Sequence, residues 1–303
     1  MSILVVGSVA IDDIETPFGK ANDVLGGSAV YIALAASYFT TPVRLVGVVG
    51  GDYPQTAIDF LNERGVDLTG LEVVKEAKTF RWSGRYHYDL NNRDTLSLNL
   101  NVFEQFNPKI PESYKKTKYI CLGNIDPVLQ RRVLEQVEKP TLVVGDTMNF
   151  WIDTKKEELM KTIPFFDVFI LNDSEARLLA NDHNLLRAAK KIRTMGAKTL
   201  IIKKGEHGAL LFHDDQIFSA PAYPLEDIFD PTGAGDTFAS GFTAWLAKTD
   251  DLSFENMKRA VIYGSTMASF CVEKVSVEGL RDLSYLKIQD RFREFKALSK
   301  FDE

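Results

Sequence analysis

Short aliphatic runs alternate with helical segments along most of the chain, and this alternation constrains the fold more than any other feature. Each run is bounded by Gly, Pro, Asp or Asn, as buried strands commonly are. The runs lie at residues 3–6, 43–49, 118–122, 141–145, 167–171 and 199–203. The segments with helical periodicity lie at 54–64, 128–138, 174–180 and 184–195, followed by 254–270 and 283–299. This β-α-β succession predicts an α/β fold with a mostly parallel central sheet and helices on both faces.

Polar residues at the ends of the predicted strands mark the expected ligand-binding edge. Ligands of open α/β sheets bind beyond the carboxyl ends of the strands. Asp12, Asp146 and Asn172 fall at or just after such ends, so we expect them at one rim. Asn124 follows the strand that ends at Gly123 and is a further candidate for substrate contact.

Residues 79–102 break the alternation with a period of two. Aromatic side chains occupy even positions from Phe80 to Tyr88, and the even phase returns from Leu96 to Val102 after a turn at 91–94. This pattern predicts an antiparallel hairpin with one apolar face. We expect residues 13–24 to add strands around a Gly19-Lys20 turn, giving a small sheet drawn from about 13–24 and 71–103. This sheet is either a lid over the ligand or an edge extension whose aromatic residues pack on the core.

The composition excludes several classes of protein. A net charge of −6, with 36 dispersed Lys and Arg residues, predicts no nucleic-acid partner. No apolar run reaches the ~18 residues of a membrane span. The two cysteines lie in apolar stretches and the four histidines are scattered, so neither a disulfide nor a zinc site is expected. We expect a cytoplasmic protein whose residues 1–303 form a single domain.

Residues 230–242, Asp-Pro-Thr-Gly-Ala-Gly-Asp-Thr-Phe-Ala-Ser-Gly-Phe, are the strongest functional signal. Gly233, Ala234 and Gly235 lie at a predicted helix N-terminus, where free N–H groups and the helix dipole favour an anion. Asp236 in the same turn would repel a phosphate held statically, so it suits a group that accepts a proton during phosphate transfer. The alternative is a structural helix start with Asp236 as a charge partner of the dipole. Because no P-loop or dinucleotide fingerprint occurs, phosphate binding is predicted at this turn.

This segment resembles the second signature of the PfkB (ribokinase) family of carbohydrate kinases. The resemblance implies that Gly233–Asp236 forms the anion hole and that Asp236 is the catalytic base. Residues 25–35 are similar to the family's first signature, which implies that Gly26, Gly27 and Ser28 hold the acceptor hydroxyls. Ser28 stands where Asn is more usual. Asp12 matches the family's hydroxyl-binding Asp, and its two oxygens suit a diol.

Further matches follow in family order. Residues 172–175, Asn-Asp-Ser-Glu, resemble the Asn-x-x-Glu motif and imply that Asn172 and Glu175 hold Mg²⁺ through water. A plain helix N-cap region, capped by Asp173 or Ser174, is the alternative. Residues 203–209 resemble the nucleotide-side loop, and Ala260, Gly264 and Ala268 would allow either a close approach of adenine or tight helix packing. The candidate nucleotide contacts are Asn172, Glu175, Lys203, Gly205, Gly208, Thr232 and Gly264.

The resemblance implies an ATP-dependent kinase that phosphorylates a hydroxyl of a small sugar or polyol. A nucleoside kinase and a non-catalytic sugar- or nucleotide-binding regulator are the alternatives. The expected cofactors are ATP and Mg²⁺, with K⁺ as a further candidate near Asp230, Thr232 and residues 272–276. The apolar face of the lid predicts a homodimer formed through the lid.

Overall fold

The computed structural model describes residues 1–300. The strands are β1 (Ile3–Val6), β2 (Ala10–Thr16), β3 (Gly19–Gly26), β4 (Val43–Gly50), β5 (Val66–Val74), β6 (Phe80–Tyr86), β7 (Arg93–Asn99), β8 (Tyr119–Leu122), β9 (Leu142–Asp146), β10 (Val168–Asn172), β11 (Thr199–Lys203), β12 (Ala209–His213) and β13 (Gln216–Ala220). The helices are α1 (Ser28–Ala36), α2 (Gln55–Glu63), α3 (Pro127–Leu134), α4 (Asn149–Thr154), α5 (Lys156–Thr162), α6 (Asp173–Ala180), α7 (Leu185–Thr194), α8 (Ala234–Thr249), α9 (Phe254–Val272), α10 (Glu278–Arg281) and α11 (Tyr285–Leu298).

The large sheet has nine strands in the order β13-β12-β11-β10-β9-β8-β1-β4-β5. Pairing is parallel from β11 to β5, and only β12 and β13 add antiparallel strands at one edge. Apolar clusters cover both faces, as the uninterrupted aliphatic strands require. The predicted α/β fold is therefore confirmed. The sequence patterns did not indicate the strands β5, β12 and β13.

A second sheet of four strands, in the order β3-β2-β6-β7, forms the lid. Here β2 pairs antiparallel with β3 and parallel with β6, and β6 pairs antiparallel with β7. The predicted boundaries need three corrections. The turn between β2 and β3 covers residues 17–18 rather than Gly19-Lys20, because Gly19 already pairs with Thr16. Residues 71–74 belong to β5, because they pair in parallel with β4 of the large sheet. Val102 leaves the lid in a 3₁₀ turn and is buried in the main core.

The register of the β6–β7 hairpin also differs from the prediction. The turn covers residues 87–92 rather than 91–94, because Arg93 already pairs with Tyr86. The register shifts between the pairs Ser83↔Ser97 and Gly84↔Thr95, so Leu96 is an extra bulged residue. The even phase therefore does not run unbroken through both strands.

None of the helices within residues 1–300 combines the length and the apolarity needed to cross a membrane.

Candidate active site

The turn before α8 presents open backbone donors. Gly233 is the N-cap residue in the left-handed region at φ 76°, and the Tyr31 ring lies where a side chain of residue 233 would project. Only glycine fits there without strain. The N–H of Ala234 donates to the Pro231 carbonyl at 3.2 Å, so this group is already used within the turn. Within residues 1–300, the N–H groups of Gly233, Gly235 and Asp236 donate to no backbone acceptor.

Asp230 and Thr232 anchor this turn to two other segments. Its carboxylate accepts hydrogen bonds from the N–H of Thr232 and of Ser276, both at 2.8 Å. The hydroxyl of Thr232 donates to that of Tyr86 in the lid at 3.1 Å. Residues 272–276 thus lie beside Asp230, as the potassium hypothesis requires. A bound potassium ion stays a prediction.

Three carboxylates surround one lysine at the carboxyl ends of the strands. Lys203 ends β11, and its Nζ lies 3.9 Å from Oδ1 of Asp146, which ends β9. A side chain at Gly235 would meet the same Nζ at 2.7 Å, so the ammonium group lies against the first turn of α8. Glu175 and Asp236 both raise the pKa of Lys203, which places them within electrostatic reach. This cluster of opposite charges adjoins the open N–H groups.

Burial perturbs the protonation of this cluster. Burial and the charge of Asp146 raise the pKa of Asp236 to about 7, although Lys203 and Arg93 act in the opposite direction. Burial likewise raises the pKa of Glu175 to about 7 and raises that of Asp146. Oδ1 of Asp236 is buried without a hydrogen-bond partner among residues 1–300. A carboxylate with a pKa near neutrality and an open oxygen suits proton transfer.

Asn172 and Glu175 form a capping box at the start of α6. The N–H of Glu175 donates to Oδ1 of Asn172 at 2.8 Å, and the N–H of Asn172 donates to Oε2 of Glu175 at 2.7 Å. Asn172 itself is therefore the cap residue, rather than Asp173 or Ser174, because its side chain reaches the third N–H of the helix. Oε1 of Glu175 accepts no hydrogen bond from residues 1–300.

The residues at hand fit a hydrated Mg²⁺ ion and not a protein cage. Residues 1–300 contain no group of three or more His, Cys, Asp or Glu side chains arranged to hold a metal ion. Mg²⁺ keeps several waters and is usually bound by one or two carboxylates together with substrate phosphates. The open oxygen of Glu175, within electrostatic reach of Asp236, meets that description.

Asp12 faces a separate part of the site. It lies within β2 of the lid, and not at the rim of the large sheet as predicted, because the chain re-enters a strand at Ala10. Its carboxylate packs against Gly26 and accepts a hydrogen bond from the N–H of Gly27. Burial, followed by the charges of Asp230 and other carboxylates, raises its pKa to about 8. Gly26 has no side chain because the carboxylate of Asp12 occupies that space.

Ser28 and Asn124 are held by the protein itself. Oγ of Ser28 accepts a hydrogen bond from the N–H of Ser8 at 3.1 Å, and the N–H of Ser28 donates to Oγ of Ser8 at 3.0 Å. Ser28 is therefore buried in a reciprocal bond that joins α1 to the loop after β1. Asn124 accepts a hydrogen bond from Nε1 of Trp151 at 2.7 Å. A direct substrate contact stays a prediction for each.

The predicted nucleotide-side glycines have different surroundings. Gly205 (φ 54°) lies beneath the lid, where a side chain would meet Oδ1 of Asn91 at 2.7 Å. Gly208 (φ 81°) packs against the carbonyl of Ala220. Gly264 faces α8, because a side chain there would meet the Phe238 carbonyl at 2.8 Å. Tight packing of α8 on α9 accounts for Gly264, and a contact with adenine stays a prediction.

The sequence analysis placed Asp146 at the rim as a candidate contact, and the structure brings it beside Lys203. The hydrogen bond of Tyr86 and the position of Arg93 were not predicted. Tyr86 was read as part of an apolar stripe, yet its hydroxyl bonds to Thr232. Arg93 was placed in a turn, and only the register of the hairpin brings it to the face of Tyr86.

Comparison with known proteins identifies the family of this chain. The sequence profile of the pfkB family carbohydrate kinases matches residues 2–281. A cytidine kinase of Thermococcus kodakarensis is 28% identical over 253 residues, which cover 82% of this chain and 89% of that protein. A ribokinase of Bacillus subtilis is 26% identical over an alignment of 309 residues, covering 92% and 95%.

A solved structure extends the likeness in fold. The nucleoside kinase of Burkholderia thailandensis in complex with ADP-inosine superposes on this chain with a TM-score of 0.78 at 20% identity. The superposition covers 97% of this chain and 96% of that one. At this level of identity the likeness shows the fold.

Proposed function

This chain belongs to the pfkB family of carbohydrate kinases, and from that premise we propose that its acceptor is a ribonucleoside, phosphorylated on the primary hydroxyl of the ribose. As a member of this family, the protein is an ATP-dependent phosphotransferase with an alcohol group as acceptor. The choice between a nucleoside and a free sugar rests on the residues that face the acceptor.

The proposal rests on the relative position of two side chains in the lid. Asp12 of β2 and Trp82 of β6 are partners in register, so their side chains project from the same face of the lid sheet. The two carboxylate oxygens of Asp12 suit the 2′,3′-diol of a ribose, and the indole offers a flat surface for a base. A ribose held by its diol leaves the primary hydroxyl as the free end, which can point toward Asp236. The cytidine kinase relative supports the same class of acceptor.

Asp236 would act as the general base. Its open Oδ1 would take the proton of the acceptor hydroxyl while the acceptor oxygen forms a bond to the γ-phosphorus and the bond to the departing ADP breaks. With a pKa of about 7, the carboxyl is largely ionised above neutral pH and yet basic enough to hold the proton. The proton thus moves to Asp236 and the phosphoryl group moves to the acceptor oxygen, so charge is conserved.

The groups around Asp236 would stabilise the transferred phosphoryl group. Its oxygens can accept hydrogen bonds from the open N–H groups of Gly233 and Gly235 and from the ammonium of Lys203. Glu175 would hold Mg²⁺ through water, with Asn172 orienting its carboxylate. The ion, when bound, supplies positive charge to the phosphate oxygens.

The remaining assignments follow from these positions. The nucleotide would lie along the loop from Gly205 to Gly208, with Thr232 and Gly264 as further candidate contacts. A potassium ion beside Asp230 would neutralise buried charge next to the anion hole. Neither assignment is needed for the choice of acceptor.

The lid would also join two subunits. Leu96, Leu98 and Leu100 form an apolar strip that is 48%, 49% and 38% exposed in the single chain. Such a strip on an edge strand is a liability unless a partner covers it. A homodimer through the lid would bury it.

Free ribose is the second candidate, because a ribokinase aligns over nearly the whole chain. Asp12 would hold its diol equally well, but the face of Trp82 would then have no base to contact. The decisive experiment measures ADP release with ATP, Mg²⁺ and a panel of cytidine, inosine, other nucleosides, ribose and cyclitols. We expect kcat/KM for the best nucleoside to exceed that for ribose. A higher kcat/KM for ribose would overturn the nucleoside assignment while leaving the kinase intact.

A further inference from the structure

Among the arginines of the β6–β7 hairpin, Arg93 forms no ion pair with a carboxylate of residues 1–300. Arg81 pairs with Asp23 at 2.6 Å and Arg85 pairs with Glu15 at 3.0 Å, both within the lid. Within residues 1–300, the guanidinium of Arg93 enters no such ion pair. An exposed arginine without an ion-pair partner, near the turn that is proposed to bind phosphate, calls for an explanation.

The strand register points the side chain of Arg93 toward the Gly233–Asp236 turn. Arg93 lies directly opposite Tyr86 in the antiparallel β6–β7 pair, so both side chains project from the same face of the hairpin. The hydroxyl of Tyr86 is 3.1 Å from that of Thr232, immediately before Gly233. The guanidinium also lies 5.8 Å from the ring centroid of Trp82, on this inner face. Arg81 and Arg85 alternate to the outer face.

The end of the hairpin already lies over the nucleotide-side loop. Asn91, at the hairpin turn, approaches Gly205 so closely that a side chain at residue 205 would meet its Oδ1 at 2.7 Å. The lid is therefore held at two points, by Tyr86 at the anion turn and by Asn91 at the loop. Arg93 follows Asn91 by two residues and is the strand partner of Tyr86, so it lies close to both points.

The charge of Arg93 lowers pKa values in the carboxylate cluster. Burial and Asp146 raise the pKa of Asp236, whereas Lys203 and Arg93 lower it. Arg93 also acts on Glu175 and on Lys203, after burial and the closer charges. Three groups on three different elements thus respond to one lid side chain.

We propose that Arg93 is a catalytic residue delivered by the lid, whose guanidinium binds the oxygens of the phosphoryl group in transit when the hairpin closes over the Gly233–Asp236 turn. The proposal rests on the kinase function proposed above. A planar guanidinium can hold two phosphate oxygens at once, and it remains protonated throughout the transfer. Closure over a bound acceptor would then complete the site, so that phosphate transfer to water is disfavoured in the open state.

Two other roles for Arg93 make different predictions. If it only stacks on Trp82, its loss would weaken acceptor binding and raise KM. If it only balances the buried carboxylates, its loss would lower Tm and leave kcat nearly unchanged. A catalytic role predicts a selective loss of kcat.

The experiment compares Arg93→Met with Arg85→Met, a matched arginine on the outer face of the same hairpin. With ATP, Mg²⁺ and the best nucleoside, we expect kcat of Arg93→Met to fall about 10²–10³-fold, as for loss of one transition-state donor. Arg85→Met should keep wild-type kcat, and both variants should keep the wild-type Tm. Equal kcat in the two arginine variants would overturn the proposal. So would a defect confined to acceptors that already carry a phosphate group, since Arg93 would then bind the acceptor.

A second readout needs no acceptor. The pKa of Asp236, followed by ¹³C carboxyl NMR in the protein without nucleotide, should rise in Arg93→Met because a nearby cation is lost. It should be unchanged in Arg85→Met. An unchanged pKa in Arg93→Met would place the guanidinium away from the turn and refute the proposal, whatever the acceptor panel shows. Failure of the nucleoside assignment would instead appear in the wild-type panel alone.

Discussion

At the scale of single residues, the site depends on one lysine among three buried carboxylates. Asp146, Glu175 and Asp236 each have a raised pKa because burial disfavours their charge. Lys203 lowers all three pKa values and offers its ammonium group to the anion turn. We therefore expect Lys203 to have two effects: it lowers the pKa of Asp236, and it would stabilise phosphate charge.

Replacing Lys203 with Met should change both effects together. We expect kcat/KM to fall and the acid limb of its pH profile to move to higher pH, because the pKa of Asp236 rises when the cation is removed. The measurement is kcat/KM from pH 5 to pH 9. Lys198→Met is the control, since Lys198 pairs with Asp167 on the surface at 2.7 Å. An unshifted acid limb in Lys203→Met would argue that Asp236 does not set that limb.

The sequence predicted the residues of the turn better than their partners. Gly233 and Asp236 share one short segment, so local spacing alone placed them at a helix start. Asp146 and Lys203 end two strands and Glu175 lies in the first turn of α6, so the three meet only when the sheet forms. Arg93 was beyond prediction because a single bulged residue, Leu96, decides the register of its hairpin. A shift of one residue would turn its side chain to the opposite face.

At the scale of elements, the lid supplies the acceptor-facing side of the site. The aliphatic runs identified the parallel strands because buried strands need continuous apolar sequence. The β5 strand was missed because Asp67, Thr69 and Gly70 interrupt its apolar residues, as an edge strand allows. Asp12, Trp82 and Tyr86 share one face of the lid, so we propose that the aromatic stripe belongs to the ligand site as well as to any dimer contact.

Replacing Trp82 with Ala should separate nucleosides from sugars. We expect KM for the nucleoside to rise by about 10-fold, since stacking on a base is typically worth ~1–3 kcal/mol. KM for ribose and the affinity for ATP should change little. Tyr88→Ala serves as the control, because Tyr88 is a lid aromatic that is 87% exposed. A fall in Tm without any change in KM would mean that Trp82 is a packing residue.

At the scale of the whole molecule, buried carboxylates reduce the stability of the fold. Asp12, with a pKa raised to about 8, and Asp236, with a pKa raised to about 7, bind more protons in the folded chain than in the unfolded chain between about pH 4 and pH 8. Their contribution to the free energy of unfolding therefore decreases as pH rises through that interval. The ligand-free enzyme is less stable at high pH because these buried carboxyl groups are then ionised.

Replacing Asp12 with Asn should remove its part of this effect. The Tm of Asp12→Asn should exceed that of the wild type at pH 8.5 by a few degrees and match it near pH 5, where Asp12 is protonated in the folded state. Acceptor phosphorylation should be lost at the same time. Thermal melting at the two pH values checks this. Asp13→Asn is the control, since Asp13 faces the exposed side and accepts from the N–H of Asp23 at 2.9 Å. Equal Tm values of Asp12→Asn and the wild type at pH 8.5 would show that the charge of Asp12 does not lower the stability of the fold.

The most direct test of the whole account is the turnover of Asp236→Asn with the best acceptor of the panel. The amide keeps the size of the side chain but cannot take up the hydroxyl proton. The account predicts that kcat falls by ~10²–10⁴-fold while ATP still binds with unchanged affinity, measured by calorimetry on the same protein. Turnover close to that of the wild type would contradict it, because some other group would then have to remove the proton.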